Sequence, residues 1–335
     1  MTVHDSSPSA ERGHRDWLAA LLLRQPNGFM ARLATGAARW RALSRNSRRR
    51  WQRKVATTVA GAALILAMAG SSLLVPTVHA ATITVDGTCT LVDAIRAANT
   101  NAVVGSCAAG AVGADTIDLQ VDTTLTAYAG NYSGYTGLPA VTSEVTIEGN
   151  GHTIERDGAA PAFRILYIAS NGDLTLNDVT ISGGYDFTNA GGGFFVSGGM
   201  LTLNNSTVSN NEANFVGGGG FNGSGTLIIT DSVFSYNKSY RGGGIYIDYS
   251  GAGTVTTLTT ITGSLFEKNT ATGHGGAIYM DKGELNIIDT AVIDNEAAYD
   301  GGGLKTYYPE ALVTITGSTF ANNSALRGGG VLIRE

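Results

Sequence analysis

One sequence pattern occurs six times between Leu174 and Glu335. Each copy has a short apolar run, a bulky apolar residue, a Gly-rich run and a second apolar run. In five copies an Asn stands three places after the bulky residue, at steps of 26, 32, 26 and 28 residues: Asn211, Asn237, Asn269, Asn295 and Asn323. A repeat of this length, built from short β-type runs, is typical of a solenoid in which each copy forms one coil.

Apolar and polar residues alternate ahead of the bulky residue in each copy. Seven places before it stand Leu174, Leu201, Leu227, Thr259, Leu285 and Val313, and five places before it stand Leu176, Leu203, Ile229, Ile261, Ile287 and Ile315. This period of two predicts strands whose alternate side chains point into a core. After the Gly run, a third inward column is predicted at Phe194, Phe221, Ile245, Ile278, Leu304 and Val331.

Tight corners are predicted at the Gly run and at an Asp, Asn or Gly that stands three places before the bulky residue, because these residue types adopt left-handed backbone. No copy contains a segment of helical period, and the hairpins of a β-sandwich would need two-residue turns. The sequence therefore predicts an all-β, single-stranded parallel β-helix. Its Asn column is expected to stack as a ladder of hydrogen-bonded amides.

The runs GGGIYI, GGAIYM and GGGVLI, together with FSYN, FEKN and FANN, resemble the polymorphic outer membrane protein repeat of the right-handed β-helix superfamily. The resemblance covers residues 174–335, about half of the chain. It implies a right-handed coil and display at the cell surface, in association with an outer membrane.

The chain before the repeats begins with a basic extension at 1–54, which has 12 basic and 3 acidic residues, and an apolar segment at 55–80 that ends in Val-His-Ala. This order predicts a signal peptide and export. The alternative is a retained membrane anchor, because the segment is long enough to span a bilayer. From Ala81 onward there are 10 basic and 24 acidic residues, a formal net charge of −14, which excludes nucleic acid as a partner.

Residues 81–114 are predicted to form an N-terminal cap. Cys89 and Cys107 are expected to pair as a disulfide in an oxidising compartment, and residues 91–99 predict a short amphipathic helix over the open end of the solenoid. The segment CTLVDAIRAANT resembles the CSLREA-type segment at the start of exported β-helix proteins. Residues 115–173 are expected to form irregular early coils. The chain stops after the sixth Gly run, which favours a fragment that lacks its downstream anchor.

The residue immediately before each Gly run varies from coil to coil: Ala190, Gly217, Arg241, His274, Asp300 and Arg327. The last four would lie on successive coils about 5 Å apart. Such a row either binds an anionic sugar or transfers protons, or it is a solvated ladder of salt bridges. The Gly-His-Gly run at His274 invites comparison with polygalacturonase-type hydrolases, but the clustered aspartates that their reaction needs do not accompany it.

A second candidate surface is the outward column after the Gly run: Phe195, Asn222, Tyr246, Tyr279, Lys305 and Leu332. Tyr246 and Tyr279 lie on adjacent coils and are expected to stack as an exposed contact surface for sugars or proteins. The alternative is that cross-strand packing alone selects these aromatic residues.

These features favour an exported, non-enzymatic surface protein, adhesin-like or structural, whose partners are glycans or proteins of cell surfaces. The alternative is a polysaccharide lyase or glycoside hydrolase, which would place convergent carboxylates or a Ca²⁺ cluster in a groove. The sequence predicts no cofactor, no metal site and no catalytic residue. Membrane contact is expected only through the N-terminal apolar segment or a missing C-terminal anchor.

Overall fold

The computed structural model describes residues 80–188, 190–248 and 257–334. The basic extension at 1–54 and the predicted signal or anchor segment, apart from its last residue, lie outside the described residues. Among those described, no helix combines the length and the apolar character needed to cross a membrane.

Four parallel sheets run along the solenoid, and successive coils add strands to them in chain order. The first sheet contains β1 (Thr82–Val85), β2 (Asp115–Leu119), β6 (Glu144–Glu148), β9 (Asp173–Asn177), β13 (Met200–Asn204), β17 (Thr226–Thr230), β21 (Leu258–Thr262), β25 (Gly283–Ile288) and β29 (Ala311–Thr316). The second contains β3 (Thr123–Leu125), β7 (Thr153–Arg156), β10 (Thr180–Ser182), β14 (Thr207–Ser209), β18 (Val233–Ser235), β22 (Leu265–Glu267), β26 (Ala291–Ile293) and β30 (Thr319–Ala321).

The third and fourth sheets complete each coil. The third contains β11 (Tyr185–Asp186), β15 (Glu212–Ala213), β19 (Lys238–Arg241), β23 (Thr270–His274) and β27 (Glu296–Ala297). The fourth contains β8 (Leu166–Ile168), β12 (Phe194–Ser197), β16 (Gly220–Gly223), β20 (Ile245–Asp248), β24 (Ile278–Met280), β28 (Leu304–Thr306) and β31 (Val331–Leu332). Among the early coils, β4 (Gly130–Asn131) and β5 (Tyr135–Thr136) form a short antiparallel hairpin. The predicted all-β parallel solenoid is confirmed, and its right hand stays a prediction.

The inward columns form one continuous core. Leu201 of β13 pairs in register with Leu174 of β9 and Leu227 of β17, and all three are fully buried. The rings of Phe234 and Phe266 stack 4.7 Å apart on adjacent coils. In the last described coil Ile315 is exposed, because no described coil covers it. The Leu and Phe columns thus show that similar side chains stack on one another from coil to coil along the axis.

Three residues in a regular coil have left-handed backbone. The predicted first corner is present at Asp231 and Asp289, whose φ angles are 48° and 47°. A second corner, which the sequence did not predict, precedes the Asn column at Tyr236 and Lys268, with φ of 55° and 53°. The third lies at the first glycine of each Gly run, such as Gly242 with φ of 62°. These corners turn the chain between the sheets without a helix.

The sequence alignment of the second coil is wrong by one residue. This coil has four glycines in a row, and β16 pairs Gly220 with Phe194 and Phe221 with Phe195. Gly220 therefore holds the inward place predicted for Phe221, and Phe221 holds the outward place predicted for Asn222. A Cβ at Gly220 would lie 2.1 Å from Phe194 Cζ, so the Phe194 ring fills the space that a side chain at 220 would need.

The N-terminal cap contains the helix α1 (Leu91–Thr100), which packs against β1 and β2. Thr90 caps its N-terminus by accepting a hydrogen bond from the Asp93 backbone nitrogen at 3.2 Å. The helix buries Leu91, Ala94, Ile95, Ala97 and Ala98 in the core. A disulfide joins Cys89 to Cys107 across the cap. The apolar face of α1 thus closes the first coil of the solenoid.

Candidate binding site

The residues before the Gly runs form a row along the corner between the third and fourth sheets. Bridges between adjacent coils order it as Ala190, Val216, Arg241, His274, Asp300 and Arg327. Val216 takes the place predicted for Gly217, as a result of the same one-residue error in the second coil. Arg241, His274, Asp300 and Arg327 are brought together on four successive coils.

This row forms one side of a pocket of about 790 Å³. The pocket lies over the outward-column residues of β24, β28 and β31 and is lined by Arg241, His274, Tyr279, Asp300, Lys305, Tyr307, Arg327, Leu332, Ile333 and Arg334. Asp300 is the one carboxylate among these described lining residues, against four Arg and Lys side chains. The pocket is therefore cationic, although the chain that surrounds it is acidic.

Asp300 lies between two partners. Arg327 Nε donates to its Oδ1 at 2.7 Å, and His274 Nδ1 lies 3.2 Å from its Oδ2, at ion-pair distance but without hydrogen-bond geometry. Burial would raise the pKa of Asp300, but the hydrogen bond and charge of Arg327 outweigh it and lower that pKa. Burial lowers the pKa of His274, in spite of Asp300. Asp300 is thus held as a carboxylate next to an imidazole that favours its neutral form.

Two cations of the pocket lack a close carboxylate. The guanidinium carbon of Arg241 lies 5.4 Å from the ring centroid of Tyr240 and 5.6 Å from that of Tyr279, and its buried Nε has no hydrogen-bond partner among the described residues. Lys305 is only 4% exposed. Burial is the main cause that lowers the Lys305 pKa, and Arg334 adds to it. The charge of Asp300 opposes the lowering of the Lys305 pKa. Burial would lower the pKa of Arg241, but Tyr279, Tyr246 and Asp281 outweigh it and raise that pKa. Neither side chain makes an ion pair with a described residue.

Tyr246 and Tyr279 stack as predicted, but the prediction that they are exposed is wrong. Their ring centroids lie 5.2 Å apart with planes 3° from parallel, and the residues are 4% and 1% exposed. The Tyr246 hydroxyl donates a hydrogen bond to Asp281. Burial, followed by the charge and hydrogen bond of Asp281, raises the pKa of both tyrosines. Because the faces of the two rings pack against side chains of neighbouring coils and both residues are buried, no ring face is open for a sugar to stack on.

The two tyrosines are the end of a longer aromatic stack. Successive centroid distances of 5.4, 5.4, 4.6 and 5.5 Å connect Tyr132, Tyr167, Phe195, Phe221 and Tyr246. Tyr132, Tyr167 and Phe221 were missed from sequence, because two lie in irregular early coils and the third follows the four-glycine run. Beyond Tyr279 the column continues with Lys305 and Leu332, so the cationic pocket begins where the aromatic stack ends.

A fully buried ion pair supports the early part of this stack. Arg164 pairs with Asp186, donates from Nη2 to the Ser133 carbonyl at 2.6 Å, and places its guanidinium carbon 4.8 Å from the centroid of Phe195. Desolvation lowers the pKa of Arg164, although Asp186 opposes this. The sequence did not identify this pair, because Arg164 stands in the irregular early coils and Asp186 lies 22 residues later, in the first repeat copy.

The five asparagines form a continuous ladder away from the pocket, inside the corner between the second and third sheets. Side-chain amides link Asn211 to Asn237, Asn237 to Asn269, Asn269 to Asn295 and Asn295 to Asn323, at 3.1, 2.9, 2.9 and 2.9 Å. In the first coil Gly184 stands in place of Asn and donates its backbone N–H to Asn211 Oδ1 at 2.9 Å. The ladder provides hydrogen-bond partners for buried polar groups, and none of its asparagines lines the pocket.

The geometry of the pocket suits binding better than hydrolysis. Glycoside hydrolysis needs a pair of carboxylates about the scissile bond, whereas Asp300 is alone among the described pocket residues and is engaged by Arg327. Within the described ranges no cluster of three His, Cys, Asp or Glu residues could hold a metal ion. The pocket offers cationic donors, two tyrosines and an apolar rim.

Two family models match parts of the chain. The pectate lyase-like adhesive domain matches residues 110–216. The Chlamydia polymorphic membrane protein repeat matches residues 263–281, which contain FEKN, the Gly-His-Gly run and the whole of β24. No curated protein and no solved structure matched the chain. The first match begins after the cap helix and the disulfide and covers the early coils and the first regular coils. The second covers part of one coil at the pocket.

Proposed function

Because this chain is a parallel β-solenoid that carries polymorphic-membrane-protein-like repeats, we propose that it is an exported, adhesin-like protein of the cell surface. Its N-terminal sequence has the order of a signal peptide, and the Cys89–Cys107 disulfide suits an oxidising compartment. The match to an adhesive domain over residues 110–216 supports the same function.

The observation that carries the proposal is the composition of the pocket beside Tyr279. Four cations, two tyrosines and three apolar or neutral neighbours surround a single, already paired carboxylate. Such a lining can hold a ligand by charge and contact area but lacks the second carboxylate that glycoside hydrolysis uses. We assign to this face the role of attachment, and to the rest of the solenoid the role of a rigid support.

The test measures attachment and cleavage on the same material. Beads coated with the purified full chain should bind polysaccharide films or cells, and Arg327→Gln should reduce that binding while Lys238→Gln does not. Lys238 is a suitable control because it is an exposed cation outside the pocket, paired with Glu212 at 2.9 Å.

The same protein should release no new reducing ends and no unsaturated products from a polysaccharide panel, with or without Ca²⁺. Product formation that His274→Ala or Asp300→Ala abolishes would replace the adhesin function by the lyase or hydrolase alternative. Failure of the full chain to bind any film or cell would also count against attachment.

A further inference from the structure

We propose that the pocket around Arg241, Lys305 and Arg327 binds an acidic sugar residue through its carboxylate or sulfate group. The proposal rests on the attachment function and names the chemistry of the ligand. The proposed ligand is a glycan whose acidic sugars are separated by neutral ones, so that the pocket binds a single acidic sugar.

Positive charge is concentrated in this pocket. The chain from Ala81 onward has 10 basic and 24 acidic residues, yet Arg241, Lys305, Arg327 and Arg334 line a single pocket. Of the six basic residues elsewhere in this part of the chain, three form ion pairs: Arg96 with Asp93, Arg164 with Asp186 and Lys238 with Glu212. The other three are spread out: Arg156 donates to backbone carbonyls, and Lys268 and Lys282 each lie near a tyrosine ring. A cluster of cations with one carboxylate, on a body of opposite charge, attracts small anions locally.

Two cations of the pocket make no ion pair with a described residue. Lys305 is 4% exposed, and the nearest compensation that acts on its ammonium is the charge of Asp300, which is already paired with Arg327. The buried Nε of Arg241 likewise has no partner in the described chain. The pocket therefore has charged N–H donors without hydrogen-bond partners among the described residues, and an incoming anion could accept from them.

Asp300 is a positioning residue that holds the guanidinium of Arg327. It accepts from Arg327 Nε at 2.7 Å and therefore fixes the guanidinium, while the side chain of Arg327 stays 70% exposed. A guanidinium has five N–H donors in a planar fork, so its terminal nitrogens remain available to a carboxylate or sulfate. Asp300 neutralises one charge and leaves an excess of cations.

The apolar part of the pocket suits a sugar ring as the group that bears the negative charge. Tyr307, Leu332 and Ile333 give the pocket apolar and aromatic contact area, and a volume of about 790 Å³ is within the range of small-molecule sites. A dense polyanion would extend beyond the pocket onto a domain of net charge −14 and be repelled. A sparsely charged glycan meets the cations without that repulsion.

The experiment uses calorimetric titration of the purified full chain with four probes: methyl glucuronide, glucose 6-sulfate, neutral methyl glucoside and inorganic sulfate. We expect at least one of the charged sugars to bind about tenfold or more tightly than the neutral sugar. It should also bind more tightly than inorganic sulfate, and added salt should weaken it.

Arg327→Gln and Lys305→Met should each reduce this affinity about tenfold, and Lys238→Gln should leave it unchanged. Arg327 is exposed, so its variant keeps the test valid even if Lys305→Met destabilises the fold. The proposal is overturned if charged and neutral sugars bind alike, if inorganic sulfate binds as well as the sugars, or if Arg327→Gln binds like Lys238→Gln.

The outcomes also separate this proposal from the function on which it rests. Attachment of coated beads that survives both pocket substitutions, with no charge-dependent sugar binding by calorimetry, would keep an adhesin function on another face and overturn the acidic-sugar site. Charge-dependent sugar binding without attachment to any surface would do the opposite.

Discussion

Replacing Asn269 with Ala tests the amide ladder where it is fully enclosed. Asn269 Nδ2 donates to the Phe234 carbonyl at 2.8 Å and to Asn295 Oδ1 at 2.9 Å. Its Oδ1 accepts from the backbone and side-chain nitrogens of Asn237 at 3.1 and 2.9 Å. The substitution removes all four bonds and leaves the backbone N–H of Asn237 without an acceptor in the interior.

The expected loss follows from these contacts. A hydrogen bond contributes roughly 0.5–1.5 kcal/mol net, and an unpaired buried donor costs roughly 1–3 kcal/mol. Two partners are partly satisfied after the change, because Asn237 Nδ2 still donates to the Val208 carbonyl and Asn295 Oδ1 still accepts from the Asn269 backbone nitrogen. We therefore expect the free energy of unfolding to fall by about 2–4 kcal/mol, below a simple sum over all the groups.

Urea denaturation followed by circular dichroism measures this loss. Asn323→Ala is the matched control: Asn323 is half-buried and ends the described ladder, so water can replace its bonds and the expected loss is about 1 kcal/mol or less. Asn269→Asp should lose more than Asn269→Ala at neutral pH, because it turns an oxygen towards the Phe234 carbonyl and Asn295 Oδ1. An Asn269→Ala midpoint equal to wild type, or equal to that of Asn323→Ala, would refute the reasoning.

Three further predictions concern packing, the cap and pH. Gly220→Ala should destabilise by about 1–3 kcal/mol, because its Cβ would meet the Phe194 ring at 2.1 Å, whereas Gly158→Ala, whose Cβ meets nothing within 4 Å, should be neutral in the same denaturation assay. Exported protein should contain no alkylatable thiol, and the double change Cys89→Ser with Cys107→Ser should cost about 3 kcal/mol by thermal or urea unfolding; two free thiols in oxidised native protein would contradict this. The folded-state pKa values of His274 and Asp300 are both lowered, so the folded state binds fewer protons than the unfolded state. Stability should therefore fall as pH drops below about 6.5, where unfolded His gains its proton, and again below about 4 for Asp300. His274→Gln should flatten the first part of that profile, and an unchanged profile would exclude His274 as its cause.

The inward columns of the core could be predicted from sequence because every second side chain of a strand points to the same face, so buried positions show as alternating apolar residues. Leu174, Leu201 and Leu227 show this in perfect register. The amphipathic helix could also be predicted, since residues 91–99 have the helical period and α1 extends one residue further, to Thr100. Both signals are local, and neighbouring copies repeat or support them.

The errors arose where a local pattern has two alignments or where burial depends on distant residues. The run of four glycines before Phe221 can be counted from either end, and a shift of one residue moves every following side chain to the other face. Tyr279 occupies the outward column as expected but is buried, because the guanidinium of Arg241 lies over its ring and Tyr246 stacks on its face. A second ladder was also missed: hydroxyls of Ser232, Ser264 and their counterparts accept the backbone N–H of the preceding coil.

The pocket was predicted in part. The row from Arg241 to Arg327 follows from the repeat period alone. Lys305 was placed in the outward column without a binding role, because sequence does not reveal that its ammonium lacks a partner. Arg334 was not identified, since it follows the last described strand of the repeats.

The corner beside the pocket has a consequence for how such a chain can change over generations. The residue after each row position is a glycine whose φ lies between 62° and 66° at Gly242, Gly275, Gly301 and Gly328, whichever side chain precedes it. Arginine, histidine and aspartate are thus interchangeable there as far as the backbone is concerned. Substitutions at the row positions are therefore expected to change the outer surface of one coil while the backbone of the corner keeps its conformation. In each corner, the residue that varies the outer surface thus stands directly before the glycine that keeps the turn.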